Sequence, residues 1–189
     1  VPVDDSSLDA DTLIREYDVQ KWEFKTLLKA YLDNEPKAPV SGLEDILASG
    51  LYHDSIHEFF TQANAIDNPL DDTEYLKRKF VHQQLRDRVL ALMASHDVDA
   101  LIYPLQKRLV VPVDAPSQVD RNGILAALTG LPALNLPAGF SAPDKNAPVG
   151  VPIGFDMLAR PFDEPLLLGL GYAYERLTDL KRPPQTAEW

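Results

Sequence analysis

Only three stretches of this 189-residue chain read as β-strand, and they are too few and too far apart to close a sheet of their own. They are Asp99-Ala100-Leu101-Ile102-Tyr103-Pro104, Ala133 to Leu136, and Val151 to Leu158, each a short apolar run. The first stops at a proline, which cannot donate to a ladder. A backbone group that is buried without a partner costs about 1–3 kcal/mol, so bare strand edges are expensive. These strands are therefore expected to complete a larger sheet or to be covered by another chain.

Elsewhere the apolar period is helical. From Asp11 to Leu32 the residues Leu13, Ile14, Tyr17, Trp22, Phe24, Leu27, Leu28, Tyr31 and Leu32 recur at that spacing, with Asp9 or Asp11 as N-cap and Asn34-Glu35-Pro36 as the stop. Ser41-Gly42-Leu43-Glu44 has the form of a capping box and predicts a short helix to Ser49. Asp71-Asp72-Thr73-Glu74 opens the longest helix, which carries Tyr75, Phe80, Leu85, Val89, Leu90, Leu92 and Met93 and ends near His96. Ile124 to Leu128 predicts a helix ended by Gly130, and Glu164 to Thr178 a last one with a Leu166-Leu167-Leu168 core face. Helices followed by interleaved strands and helices imply an α/β architecture, with helices packed on a short mixed sheet. Residues 1–97 read as mainly helical cover and 98–189 as the α/β core.

Charge narrows the partners. With 29 acids against 18 bases the net charge is −11, which repels phosphate backbones and anionic lipid, so neither nucleic acid nor a membrane surface is expected as partner. No run approaches the length of a transmembrane helix. Without cysteine there is no disulfide, thiolate metal site or cysteine nucleophile. His53-Asp54-Ser55-Ile56-His57 has two histidines at zinc-ligand spacing, but no third ligand follows closely, and solvated or hydrogen-bonded imidazoles are the plainer reading. The pairs Asp4-Asp5, Asp9-Asp11 and Asp71-Asp72 lack the spaced oxygens and glycine of a calcium loop. Lys77-Arg78-Lys79 is expected to pair with neighbouring acids. No metal and no cofactor are expected.

The order of motifs in the second half is distinctive. Asp99 to Pro104 is followed by Arg121-Asn122-Gly123, Thr129-Gly130-Leu131-Pro132-Ala133-Leu134 and Leu136-Pro137-Ala138-Gly139-Phe140. Then come Val149-Gly150-Val151-Pro152-Ile153-Gly154-Phe155, Arg160-Pro161-Phe162-Asp163-Glu164, Tyr172-Ala173-Tyr174-Glu175 and Arg182-Pro183-Pro184. Together these resemble the C-terminal half of the amidase-signature family. Glu23-Phe24-Lys25, Tyr31-Leu32 and Leu43-Glu44-Asp45-Ile46 are similar to the helical segment before that half in fungal and bacterial members. The resemblance covers almost the whole chain and implies that the three strands belong to the larger amidase-signature sheet. Glycine and proline in these motifs also have an architectural reading, as helix ends and strand turns.

The resemblance implies a serine nucleophile in a Gly/Ser-rich signature, a second serine held by a cis peptide, and a lysine that relays protons. None of that signature occurs here. The only adjacent serines, Ser6-Ser7, lie in an acidic stretch without glycine or a nearby lysine, so no catalytic role carries over to any residue. The chain starts at Val1 with no signal-like segment, and the expectation is that it begins after processing or partway through a longer product. Tyr103, Arg121, Asn122 and Thr129 stand beside predicted strand ends, where a substrate cleft would open. They would orient an amide or carboxylate, with Arg121 able to donate two hydrogen bonds. Alternatively Arg121 and Asn122 cap a helix and Tyr103 is core. The expected function is a segment of an amide-bond hydrolase, inactive alone, whose partner is the signature half. The alternative is a non-catalytic binding protein derived from an amidase, associating with itself or another chain through strand edges.

Overall fold

A computed structural model describes residues 1–3, 5–112, 115, 118 and 120–180. Asp4 and the Arg182-Pro183-Pro184 motif lie outside the described residues. The chain forms two compact units, one of residues 1–16 with 82–189 and one of residues 17–81.

The 17–81 unit is helical. The apolar period from Asp11 to Leu32 is carried by two helices, α1 (Ala10–Tyr17), which belongs to the other unit except for Tyr17, and α2 (Gln20–Asp33). The Asp18 carboxylate accepts the Gln20 N–H at 2.8 Å, which starts α2 afresh where periodicity alone predicts continuity. Next come α3 (Leu43–Ser49), α4 (His57–Asn64) and the first part of α5 (Thr73–Ser95). The capping box at α3 takes another form: Gly42 is the N-cap, and Ser41 donates its N–H and hydroxyl to Asp45 at 2.7 and 2.6 Å. Serine one place before the cap reaches the next acid along, not Glu44. Val19, Trp22 and Tyr75 form a small core. Trp22 Nε1 donates to the Asp72 carboxylate at 2.7 Å, and the Tyr75 hydroxyl to Glu23 at 2.9 Å. Each large ring thereby keeps its polar atom satisfied while its body is buried.

The other unit holds the sheet, formed by β1 (Ala100–Pro104), β2 (Ala133–Phe140) and β3 (Pro152–Ala159), with α6 (Ile124–Thr129) and α7 (Glu164–Thr178). The order is β1-β3-β2, and both pairings are antiparallel. A mixed sheet would need a further strand, because the three described here run antiparallel throughout. β3 is central, and its four residues Asp156–Ala159 are buried in succession, so both of its faces are covered there. One face carries Phe155, Met157 and Ala159, which pack with Leu136 and Leu167 beneath α7. The Tyr174 hydroxyl donates to the Pro137 carbonyl at 2.9 Å and ties α7 to the bulge in β2. Arg160 donates to the Val98 carbonyl at 2.7 Å, joining the end of β3 to the approach of β1. Within the Leu166-Leu167-Leu168 run of α7, Leu167 is 3% exposed and Leu168 is 64% exposed, so the core face is narrower than the run suggests.

At Gly150 φ is +81°, and a Cβ there would stand 2.3 Å from the Ser141 carbonyl oxygen. Gly150→Ala is expected to destabilise the unit by about 2–4 kcal/mol, read from urea denaturation. Leu167→Ala should cost about 2–5 kcal/mol in the same assay, and Leu168→Ala at low protein concentration within about 0.5 kcal/mol.

Candidate functional site

The second face of the sheet carries a row of polar residues. Tyr103 on β1 is opposite Asp156 on β3, and Asp156 is opposite Asn135 on β2. Directly opposed residues in an antiparallel sheet project to one face, so the three side chains stand in line. Asp156 is only 7% exposed. Its Oδ1 accepts from Asn135 Nδ2 at 3.1 Å, and the same amide donates to the Phe155 carbonyl at 3.2 Å. The Tyr103 hydroxyl is buried and makes no hydrogen bond of acceptable geometry. Burial first, and the neighbouring Asp156 carboxylate second, push its pKa well above the ordinary tyrosine value, so it stays protonated. Asp156 is thus close enough to act on the phenol without accepting its proton in a proper bond.

The Arg121-Asn122-Gly123 turn closes over the end of β1. The Asn122 N–H donates to the Leu105 carbonyl at 3.0 Å, and its side-chain amide to the Pro104 carbonyl at 2.7 Å. Arg121 bridges Gln106 through the backbone, leaving its side chain exposed. Gly123 packs close to its neighbours: a Cβ there would lie 2.5 Å from Leu105 Cδ1, which would have to shift, and 3.7 Å from the Asp156 carboxylate. Beside this turn is a cavity of about 170 Å³. Tyr103 and Asn122 line it together with apolar side chains, among them Leu13, Leu92, Leu101 and Leu125. Asp5 lies at the same wall, and its carboxyl is held below the usual range by hydrogen bonds from Ser7, with Arg88 adding to the effect.

Of the four candidates, then, Tyr103 and Asn122 share this cavity, while Arg121 and Thr129 are not among the residues lining it. Thr129 is 4% exposed, and its hydroxyl donates to the Leu125 carbonyl at 2.8 Å. Its own carbonyl accepts from Arg86 at 3.2 Å, just before Gly130 ends α6 at φ +64°. Sequence patterning does not single out Asp156 and Asn135. For Asp156 the available signal is a lone carboxylate in a strand whose neighbours are apolar.

The remaining motifs resolve simply. His53 Nδ1 meets the Ser55 hydroxyl at 2.8 Å, and His57 Nδ1 meets the Tyr52 hydroxyl at 2.6 Å. Among the described residues no group of three or more His, Cys, Asp or Glu side chains could hold a metal. None of the described helices is long and apolar enough to cross a membrane.

Larger proteins share this architecture. A peptide amidase from Stenotrophomonas maltophilia has a similar structure, with a TM-score of 0.68 and 28% identity over 87% of this chain and 33% of that one. A probable amidase of Arabidopsis thaliana is 27% identical over 173 residues, which is 86% of this chain and 29% of the relative. One component of the Methanosarcina barkeri glutamyl-tRNA(Gln) amidotransferase is 42% identical over 70 residues, or 36% of this chain and 13% of that one. This chain thus spans less than a third of the length of either sequence relative. The sequence model of the Amidase family matches residues 22–168, and with that match over most of its length the chain belongs to the amidase family.

Proposed function

We propose that this chain is the C-terminal portion of an amide-bond hydrolase working by serine acyl transfer. It supplies part of the substrate cleft and the helical cover, and none of the groups that attack the amide. The observation that carries this reading is the likeness of 87% of the chain to one third of a peptide amidase. On this reading the nucleophile, its partner serine and the lysine come from the other part of such a fold.

The chemistry of the described residues agrees. A lysine that activates serine must be neutral, and a neighbouring carboxylate works against that. Lys25, Lys29, Lys79 and Lys107 all pair with carboxylates, and the pKa of Lys107 is raised further by Asp9 and Asp11. Among the described residues no serine hydroxyl is hydrogen-bonded to a lysine. Ser7 and Ser41, for example, donate to Asp5 and Asp45.

For substrate contact the reading favours Tyr103 and Asn122, with Arg121 at the rim and Thr129 holding the turn after α6. A phenol that keeps its proton can donate to an amide oxygen, and apolar walls exclude water around it. The outer edges of β1 and β2 offer backbone groups to strands of the signature-bearing part, which is the proposed partner.

The purified chain is expected to release no product from simple amides. Turnover that a serine-directed fluorophosphonate abolishes would overturn the proposal. Tyr103→Phe tests the site from the other side. Removing an orphaned hydroxyl should stabilise the chain by about 1 kcal/mol at neutral pH. The raised pKa also fixes a sign: the native phenol stays protonated where the unfolded one ionises, so its contribution is complete below pH 10.0 and is lost as pH rises beyond it. Urea melts of the native chain should fall on that alkaline limb, and those of Tyr103→Phe should fall less. Equal slopes would remove Tyr103 from the buried site.

A further inference from the structure

The cavity beside the Arg121-Asn122-Gly123 turn lies wholly within one unit and is walled by distant parts of the chain. Val3 and Leu8 of the N-terminal segment and Leu13 of α1 meet Leu92 of α5, Leu101 of β1 and Leu125 of α6 around it. Ion pairs fasten the N-terminal side. Arg88 donates to both oxygens of Asp5 at 3.2 Å, and Lys107 donates to Asp9 at 2.9 Å and to Asp11 at 3.3 Å. The space enclosed measures about 170 Å³. An apolar protein cavity of about 150 Å³ stays dry and takes up benzene, so this one has room for a single six-membered ring or a branched alkyl group of that size.

Asn122 and Asp5 on the wall decide what that group carries. The Asn122 amide gives one Nδ2 hydrogen to the Pro104 carbonyl at 2.7 Å, and among the described residues nothing bonds its second hydrogen or its Oδ1. A carboxamide supplies the complement of both, an N–H for Oδ1 and a carbonyl for the free hydrogen. A carboxylate has no N–H to give. The Asp5 carboxylate already accepts from Ser7 and Arg88, and together with the net charge of −11 it disfavours an anionic ligand.

We infer that this cavity holds the apolar group of a small neutral carboxamide of benzamide size, with the amide at Asn122. Resting on the amidase reading, this makes the substrate a small aromatic or branched-alkyl amide rather than a long-chain one. Hydrolysis by water replaces the amide nitrogen with oxygen and releases ammonia. The carboxylate left behind offers nothing to Asn122 Oδ1 and meets the charge of Asp5, so the wall that takes up the amide also lets the acid go.

Titrating the purified chain with benzamide, followed by nitrogen–proton correlation spectra, reads the binding without any turnover. A Kd on the order of 1 mM is expected for a ligand of this size, so the titration runs to about 20 mM. Shifts should saturate and gather at Leu13, Leu92, Leu101, Asn122 and Leu125. Benzoate, of the same shape but without the N–H, should bind at least about 10-fold more weakly. Leu92→Phe fills the wall and should weaken benzamide about 5-fold or more, with the far-ultraviolet spectrum unchanged. The absence of saturable shifts at those residues overturns the inference and leaves the amidase reading to its own turnover test. Equal affinity for benzoate also overturns it, and so does benzamide binding that a folded Leu92→Phe chain retains in full.

Discussion

The backbone hydrogen bonds that β3 makes on both of its edges hold the sheet together, since β1 and β2 each pair with β3 and not with one another. Everything else in that unit is arranged around this one strand. Its buried run Asp156–Ala159 presents Met157 and Ala159 to α7 and Asp156 and Leu158 to the opposite face. Loss of the usual alternation is what a strand covered on both sides requires. The cost of the arrangement sits at the outer edges of β1 and β2, whose outward donors and acceptors find no ladder among the described residues.

The same strand creates the polar row. A carboxylate at Asp156 is costly to bury, and among the described residues the Asn135 amide donates to it. Tyr103, on the other side, has a buried hydroxyl without an acceptor. Native structures contain few such orphans, and each marks strain, an unseen partner or a binding role. Tyr103 also lines the cavity beside the Arg121-Asn122-Gly123 turn, where residues of the N-terminal segment, α5 and β1 meet.

Much of the fold is legible in the sequence, because period and punctuation agree with one another. Glu164 to Thr178 is α7 to the residue, Gly130 ends α6 in the left-handed region, and Asp9 caps α1 through the Thr12 N–H. The break between α1 and α2 is hidden because the apolar period runs through it, while the signal lies in one hydrogen bond that the Gln20 N–H donates to the Asp18 carboxylate. α4 is hidden behind the two histidines, whose hydrogen bonds to Ser55 and Tyr52 are made within a few residues of each ring. For the candidate site, Tyr103 and Asn122 can be proposed from their places beside a strand end, and the fold sets both against one cavity. Asp156 and Asn135 cannot, since their importance comes from register: only the pairing of β1, β3 and β2 sets them in line with Tyr103.

Hydrogen exchange along the three strands tests the central claim, that this sheet is an open portion of a larger amidase-type sheet. The account predicts slow exchange for the β3 amides, fast exchange for the outward-facing amides of β1 and β2, and new protection of those edges when the signature-bearing part of an amidase fold is added. Outer-edge amides already as slow as those of β3 in the chain alone would contradict it.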